Sequence, residues 1–297
     1  MNGGIRVRAL REALCGALLA MTCLAALVSA DQSPASSAVP RASDGHPDLS
    51  GYWQVLNTAA WNIQDHSAQP GIPAGQGVVD GNEIPYQPWA AEKKKENFAN
   101  RATADPESKC YLPGVPRLIY MPFPFQIAQT PKDIIMLSEY AHAVRTIHAD
   151  GSAHPATAVE SWLGDARARW EGDTLVVDVT NLNGKMWLDS VGNFYSENAH
   201  VTERFRLADA NTMDYEVTID DPTVFTRPFK LNYPLRRQGA GGGCAECGAG
   251  NAQPAAKVDP YEKESWEHAC HEGNEHHVEG AKGLGFKWYL PPSPPGR

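Results

Sequence analysis

Short runs of β-branched and aromatic residues, separated by turn residues, fill the chain from residue 125 to residue 235. The pattern is clearest near the end, where Met213, Tyr215, Val217 and Ile219 alternate with polar residues. An alternation with a period of two places one face of a strand in the core and the other in water. The sequence therefore predicts an all-β domain built from about eight short strands.

Turn residues between successive runs indicate that neighbouring strands are joined by short connections. The pair Asp150-Gly151, after the run from Val144 to His148, predicts a hairpin. Sequential hairpins give an antiparallel meander, and closure into a barrel would remove its exposed edges. We expect a lipocalin-like or calycin-like barrel, with a β-sandwich as the alternative. The sequence does not alternate strands with long amphipathic helices, so we do not expect a parallel sheet.

Changes in composition divide the chain into five segments. The sequence predicts a signal peptide (residues 1–30), a flexible leader (31–45), the antiparallel β domain (46–237), an insertion rich in Gly and Cys (238–258) and a C-terminal segment that docks on the β domain (259–297). Within the β domain, the irregular stretch up to about Cys110 is expected to wrap the barrel. It contains one charged piece, from Trp89 to Asn100, with helical character.

The first thirty residues have the character of a secretory signal. Three Arg residues precede an apolar run from Leu14 to Val28, and small residues end at Ala30. The apolar run is shorter than the roughly 20 residues that cross a bilayer, so we expect cleavage and no membrane span afterwards. The location would be periplasmic or extracellular. The remaining chain would have 23 basic and 34 acidic residues, a net charge of −11 that argues against nucleic-acid partners.

Four cysteines remain after the signal: Cys110, Cys244, Cys247 and Cys270. An even number in an oxidising compartment predicts two disulfides, with three ways to pair them. The favoured pairing joins Cys110 to Cys270 and Cys244 to Cys247. The alternative is a zinc site formed by Cys244, Cys247, Cys270 and His271, which are ligands of an accepted type. Zinc is the only cofactor that the sequence suggests.

Candidate acid and base residues lie on or beside the predicted strands. The set consists of Glu139, Arg145, His200 and Glu203, with His154 near the same strands and His271 from the C-terminal segment. Carboxylates and imidazoles gathered at a barrel mouth could exchange protons with a substrate. The alternative is a Glu–Arg pair that only fixes strand register. Serine-hydrolase, zinc-protease and phosphate-loop motifs are missing from the sequence.

The aromatic content suggests what such a barrel would hold. The chain has 8 Trp, 10 Tyr and 8 Phe, and a barrel of about eight strands can enclose one small ligand. The main hypothesis is an exported β-barrel that binds an apolar or aromatic small molecule. In the enzymatic form of this hypothesis, the protein also transforms that molecule by acid–base chemistry. The alternatives are a metal-binding exported protein of the zinc type and a structural or interaction module of the cell envelope.

Several motifs occur in a fixed order along the chain. They are Pro47-Asp48-Leu49-Ser50-Gly51 with Trp53, Cys110 to Arg117, Trp170 to Val177, Glu203-Arg204-Phe205 and Cys270-His-Glu-Gly-Asn274. In this order they resemble a family of secreted bacterial proteins with no assigned activity, so the resemblance implies export and no mechanism. The chain departs from the family pattern at Glu275-His276-His277 and in the insertion around Cys244 to Cys247.

Overall fold

The computed structural model describes residues 38–69, 71–156 and 159–238. Within these residues, nine strands form one closed barrel. The strands are β1 (Gly51–Gln54), β2 (Phe125–Gln129), β3 (Asp133–Ser138), β4 (Val144–His148), β5 (Asp165–Glu171), β6 (Thr174–Thr180), β7 (His200–Leu207), β8 (Thr212–Asp220) and β9 (Phe229–Arg237). Two α-helices, α1 (Pro88–Ala104) and α2 (Arg117–Tyr120), lie between β1 and β2.

The strands follow one another around the barrel in sequence order, and β1 closes the ring by pairing with β9. The prediction of an all-β barrel is confirmed, and the sandwich alternative is not what forms. Strand β8 shows why the sequence pattern was informative. Met213, Tyr215, Val217 and Ile219 are buried, whereas the residues between them lie on the outer face.

One prediction about the connections is wrong. The hairpin expected at Asp150-Gly151 does not form, because β5 runs parallel to β4 and meets it at the single pair His148 and Arg167. The reason is geometric. Strand directions can alternate at every junction of a closed ring only if the number of strands is even, so a ring of nine strands must contain a parallel junction. Every other junction in the ring is antiparallel. The described residues between β4 and β5, 149–156 and 159–164, therefore belong to a crossover connection instead of a tight turn, and we name them the crossover segment.

The barrel interior is filled by side chains from all sides. Trp53, Phe125, Phe205 and Tyr215 are almost completely buried, and the aromatic rings of Phe205 and Tyr215 are 4.7 Å apart. At one level a gap of about 170 Å³ remains between side chains, but it does not admit a water molecule. Its lining consists of Leu49, Ile127, Ile134, Met136, Ile147, Leu175 and Phe205. The interior therefore offers no ready space for a guest.

The irregular N-terminal stretch lies against the barrel. Val79 pairs with Leu231 of β9, and Tyr86 pairs with Phe225. Helix α1 contains the piece predicted as helical. It begins with a proline, which is tolerated there because the N–H groups of the first turn make no hydrogen bond within the helix. Helix α2 is buried along its whole length.

Arg41, in the segment predicted as a flexible leader, forms an ion pair with Asp173 at 2.6 Å. His46, the first residue of the predicted β domain, stacks on Trp170 with ring centroids 4.7 Å apart. No helix among the described residues is long and apolar enough to cross a membrane. The predicted signal peptide, the Gly- and Cys-rich insertion and the C-terminal segment lie outside the described residues, apart from Gln238.

Candidate functional site

The first candidate cluster lies inside the barrel. Arg145 of β4 and Glu203 of β7 form a bidentate ion pair, with Arg145 Nη1 donating to Glu203 Oε1 at 3.0 Å and Nη2 donating to Oε2. The hydroxyl of Tyr215, on β8, donates to Glu203 Oε1 at 2.5 Å. Strand β4 does not neighbour β7, so this ion pair bridges the interior of the barrel.

Burial and the charges of neighbouring residues together set the pKa values in this interior cluster. Burial alone would lower the pKa of Arg145, but the attraction of Glu203 outweighs it and raises the pKa. Burial, and after it the charge of Glu203, raises the pKa of Tyr215 well above its usual value, so the phenol stays neutral and donates. The carboxylate is fully engaged by donors. This arrangement corresponds to the structural alternative, a Glu–Arg pair that fixes strand register.

The second candidate cluster lies on the outer face of the barrel, and we name it the outer cluster. It consists of His154, Asp165, Asp178 and His200. Asp178 of β6 uses one carboxylate oxygen to bind His200 Nε2 and the other to bind His154 Nε2, at 3.0 Å for His154. Asp165, at the start of β5, binds His154 Nδ1 at 2.6 Å. Three strands and the crossover segment therefore meet at one partly exposed site.

His154 lies between two carboxylates. Its Nδ1 is within hydrogen-bond distance of Asp165, and its Nε2 is within hydrogen-bond distance of Asp178. The pKa of Asp165 is lowered, first by its hydrogen bond with Arg167 and further by that with His154. Burial would raise the pKa of Asp178, but hydrogen bonds from His200 and then His154 lower it overall. His154 thus links the carboxylate of β5 to that of β6.

His200 has a different position in the outer cluster. Its Nε2 faces Asp178, which as a carboxylate must accept, so Nε2 carries the proton in the neutral ring. The other nitrogen, Nδ1, then has a free lone pair, and the side chain is 49% exposed. A carboxylate that holds an imidazole in one tautomer is the arrangement that prepares a histidine for general-base work. In a neutral His200, Nδ1 is therefore the nitrogen that is able to accept a proton.

Other residues hold the outer cluster in place. Arg167 binds both oxygens of Asp165, through Nε at 2.7 Å and Nη2 at 2.8 Å, and its Nη1 also contacts Ser152. The hydroxyl of Thr180 lies 3.1 Å from His154 Nδ1. Bidentate guanidinium–carboxylate pairs fix orientation as well as charge. The cluster thereby also attaches the crossover segment to the outer face of β5 and β6.

The structure brings together only part of the set that the sequence predicted. Arg145 and Glu203 meet in the interior, and Glu139 is buried in the turn after β3. His200 lies on the opposite face of β7, so the expected gathering of His200 with these residues is wrong. The reason is the period of two along a strand, since positions 200 and 203 differ by an odd number. His271 lies outside the described residues.

Asp165 and Asp178 are the residues that sequence analysis missed. Asp178 is paired in register with Thr202, two residues from His200 on the same face, which makes the contact a diagonal cross-strand neighbour. Asp178 is a charged, outward-facing residue on an otherwise apolar strand, and this was the available sequence signal. Identifying His200 as its partner also requires the neighbouring strand and its register, which the sequence alone does not give.

The zinc alternative rests on Cys244, Cys247, Cys270 and His271, all of which lie outside the described residues. Among residues 38–69, 71–156 and 159–238, no group of three or more His, Cys, Asp or Glu side chains is arranged to hold a metal ion. The outer cluster is included in that finding. Its imidazoles and carboxylates bind one another.

The fold and the outer cluster define a class: a closed, mostly antiparallel barrel with a histidine–carboxylate site on its outer face. Comparison with known proteins goes no further, since no family model, no curated protein and no solved structure matches the chain. The resemblance to a secreted bacterial family and to lipocalins therefore stays a prediction.

Proposed function

We propose that the protein is an exported β-barrel that binds an apolar or aromatic small molecule at the outer cluster and acts on it by acid–base chemistry. The observation that carries this proposal is the pair of Asp178 and His200. Asp178 binds Nε2 of His200, which leaves Nδ1 as the proton-accepting nitrogen of a neutral ring, and the side chain is 49% exposed. In the reaction class we propose, Nδ1 takes a proton from an O–H or N–H group of the ligand, giving an imidazolium and the deprotonated ligand.

Because the barrel interior is packed, we place the proposed site on the outer face and not in the barrel lumen. The interior gap does not admit a water molecule, and the interior acid and base residues are already bound to each other. By contrast, the outer cluster combines partial exposure with two carboxylates and two imidazoles. Such mixed titratable clusters in accessible positions are candidates for functional sites.

The test is a titration of the full chain, labelled for nuclear magnetic resonance, with phenol, decanol and cyclohexanol while the histidine ring signals are followed. We expect at least one compound to shift the His200 signals in a saturable way. The variant Asp178→Asn should lose that response, because the amide can no longer fix the ring tautomer. The matched control is Asp214→Asn, which removes a carboxylate paired with Arg206 on the same outer face.

Two results would contradict the proposal. In the first, none of the compounds shifts His200 at any concentration below the solubility limit. In the second, Asp178→Asn and Asp214→Asn change the response equally, which would indicate loss of general surface charge.

A second candidate function is a structural or interaction module of the cell envelope. The packed barrel interior favours it, because a protein without an internal site acts through its surface. This candidate assigns the outer cluster a purely structural role, that of attaching the crossover segment to the barrel. It predicts that the Asp178→Asn variant loses stability and that no small molecule shifts His200.

We also infer that the protein is exported and that Cys110 is bridged to Cys270. The support for the bridge is that Cys110 is disulfide-bonded, and the other cysteines of the mature chain lie outside the described residues. Mass spectrometry of unreduced peptides tests the pairing. A bridge from Cys110 to Cys244 or Cys247 would contradict it.

A further inference from the structure

A groove of about 620 Å³ lies on the outer face of the barrel, across strands β6 to β9, and we name it the arginine groove. Its lining includes Thr174, Arg204, Arg206, Asp214, Glu216 and Asn232, and none of the four residues of the outer cluster. Arg204 is four positions after His200 on the same face of β7, which separates their Cα atoms by about 13 Å. The arginine groove is therefore a second site on the outer face.

Arg204 presents an open guanidinium edge at the arginine groove. Its Nη1 donates to Glu171 Oε2 at 3.0 Å, and no other hydrogen bond of this guanidinium occurs among the residues that the structure describes. The side chain is 36% exposed. The edge formed by Nε and Nη2 is therefore open to an acceptor. The two N–H groups of such an edge match the two oxygens of a carboxylate or phosphate group.

Arg206, the next outward residue along β7, brings a second guanidinium to the arginine groove. Its Nη2 donates to Asp214, the residue paired with it in register on β8. Within the described part of the chain, this is its one hydrogen bond, and the side chain is 56% exposed. Each of the two guanidiniums is thus held through one nitrogen and has other donors to spare. Side chains held in this way lose less conformational entropy when a ligand binds.

The charge balance at the arginine groove differs from that of the whole chain. The ion pairs join Glu171 to both Arg169 and Arg204, Asp214 to Arg206, and Glu216 to Lys230. These four cations and three carboxylates leave an excess of one positive charge, whereas the whole chain has a net charge of −9. Each of these carboxylates is engaged by a cation, so an anion that enters the groove meets spare N–H donors and a locally positive charge.

We propose that the arginine groove binds a small organic molecule through a carboxylate or phosphate group. The Nε–Nη2 edge of Arg204 binds two oxygens of that group, and Arg206 supplies a second positive charge. Thr174 and Asn232 offer neutral polar groups to the rest of the ligand. The volume of the groove is in the range of small-molecule sites. This inference does not depend on acid–base chemistry at the outer cluster.

The test follows the side-chain Nε–H signals of arginine in nuclear magnetic resonance spectra of the labelled full chain. The probes are succinate, methyl phosphate and the neutral succinamide, all at one ionic strength set with sodium chloride, because salt screens exposed charges. We expect succinate or methyl phosphate to shift the Arg204 signal in a saturable way and succinamide to leave it unchanged. The anion that binds more tightly identifies the group as a carboxylate or a phosphate.

Variants separate the guanidinium edge from general charge, with the Arg206 signal as the readout. Arg204→Gln should weaken binding of the anion at least about tenfold, since a charged hydrogen-bonding partner is lost. Arg204→Lys keeps the charge but lacks the paired N–H edge, so binding should weaken about three- to tenfold. The control is Arg227→Gln, which removes an exposed arginine paired with Glu83 outside the groove and should bind like the wild type.

Several outcomes would overturn this inference. Neither anion shifts the arginine signals in a saturable way, or succinamide shifts them as much as succinate does. Equal weakening in Arg204→Gln and Arg227→Gln would indicate attraction to overall charge, and wild-type affinity in Arg204→Lys would exclude the assigned binding mode. The His200 signals, recorded in the same samples, separate the two sites, since anions that shift His200 and not Arg204 would bind at the outer cluster instead.

Discussion

Glu203 and Arg145 are two charged residues placed where most proteins place apolar ones. Both are at most 2% exposed, and taking two charges out of water costs several kcal/mol for each ion. Their mutual attraction and the hydrogen bond from Tyr215 offset that cost only while all three side chains stay in place. The interior cluster therefore makes the relative position of β4, β7 and β8 specific, more than it adds net stability.

Replacing one partner of this ion pair should be far more harmful than replacing all of them. Glu203→Gln leaves the Arg145 charge buried without a counter-ion, so we expect a loss of about 3–5 kcal/mol in the free energy of unfolding. The triple variant Arg145→Met, Glu203→Leu and Tyr215→Phe should recover most of that loss, because no buried charge or hydroxyl remains unpaired. Urea denaturation measures both. A Glu203→Gln variant as stable as wild type would contradict this account of the interior cluster.

The sequence allowed partial prediction at the scale of the residue. Arg145 and Glu203 were named among the candidate residues, and a Glu–Arg pair that fixes strand register was the alternative. The structure pairs these two residues inside the barrel, whereas His200, which the prediction grouped with them at a barrel mouth, lies on the outer face of β7. Asp178 could not be found in this way, since its contact with His200 depends on the register between β6 and β7.

At the scale of the element, the junction between β4 and β5 is the least paired part of the barrel. One residue pair joins these two strands, whereas β5 and β6 share seven. The crossover segment compensates through side chains, because Asp165 and Asp178 both bind His154 from that segment. The stability of this junction should therefore depend on two carboxylates.

Acid should open this junction before the rest of the barrel. The pKa values of Asp165 and Asp178 are lowered in the folded protein, so their contribution is present above the unfolded value of about 3.9 and is lost as pH falls through the lower folded pKa. We expect hydrogen exchange to show that β4, residues 149–156 and residues 159–164 lose protection as pH falls below about 3.9, while β7 and β8 keep theirs. Asp165→Asn should show the same local loss at neutral pH.

The control for the acid experiment is Asp214→Asn, which changes a carboxylate on the same outer face without touching the crossover segment. Uniform loss of protection over all nine strands at low pH would contradict a local role for the outer cluster. So would an Asp165→Asn variant whose crossover segment exchanges as slowly as that of the wild type.

Most elements were predictable because each strand has its own local pattern. Strand β4 has the predicted bounds, and the alternation of β8 gave its inward face correctly. The parallel junction was not predictable from local turn signals. Gly151 does adopt the positive φ that a tight turn requires, but the direction of the next strand depends on closing a ring with an odd number of strands.

At the scale of the whole molecule, the barrel has two polar clusters in different environments. The interior cluster is sealed and paired, so it fixes the arrangement of strands. The outer cluster is partly exposed, and we propose that chemistry on a small molecule takes place there. The sequence predicted a barrel with acid–base residues, but it placed the site inside, because it could not show how completely aromatic and aliphatic side chains fill the interior.

The ring tautomer of His200 tests the central claim most directly, because the proposed base is Nδ1 held free by Asp178. Nitrogen-15 spectra of the labelled full chain distinguish a protonated from an unprotonated ring nitrogen. The account predicts that neutral His200 carries its proton on Nε2 in the wild type and loses this preference in Asp178→Asn. A neutral ring protonated on Nδ1, or the same mixture of tautomers in both proteins, would contradict it.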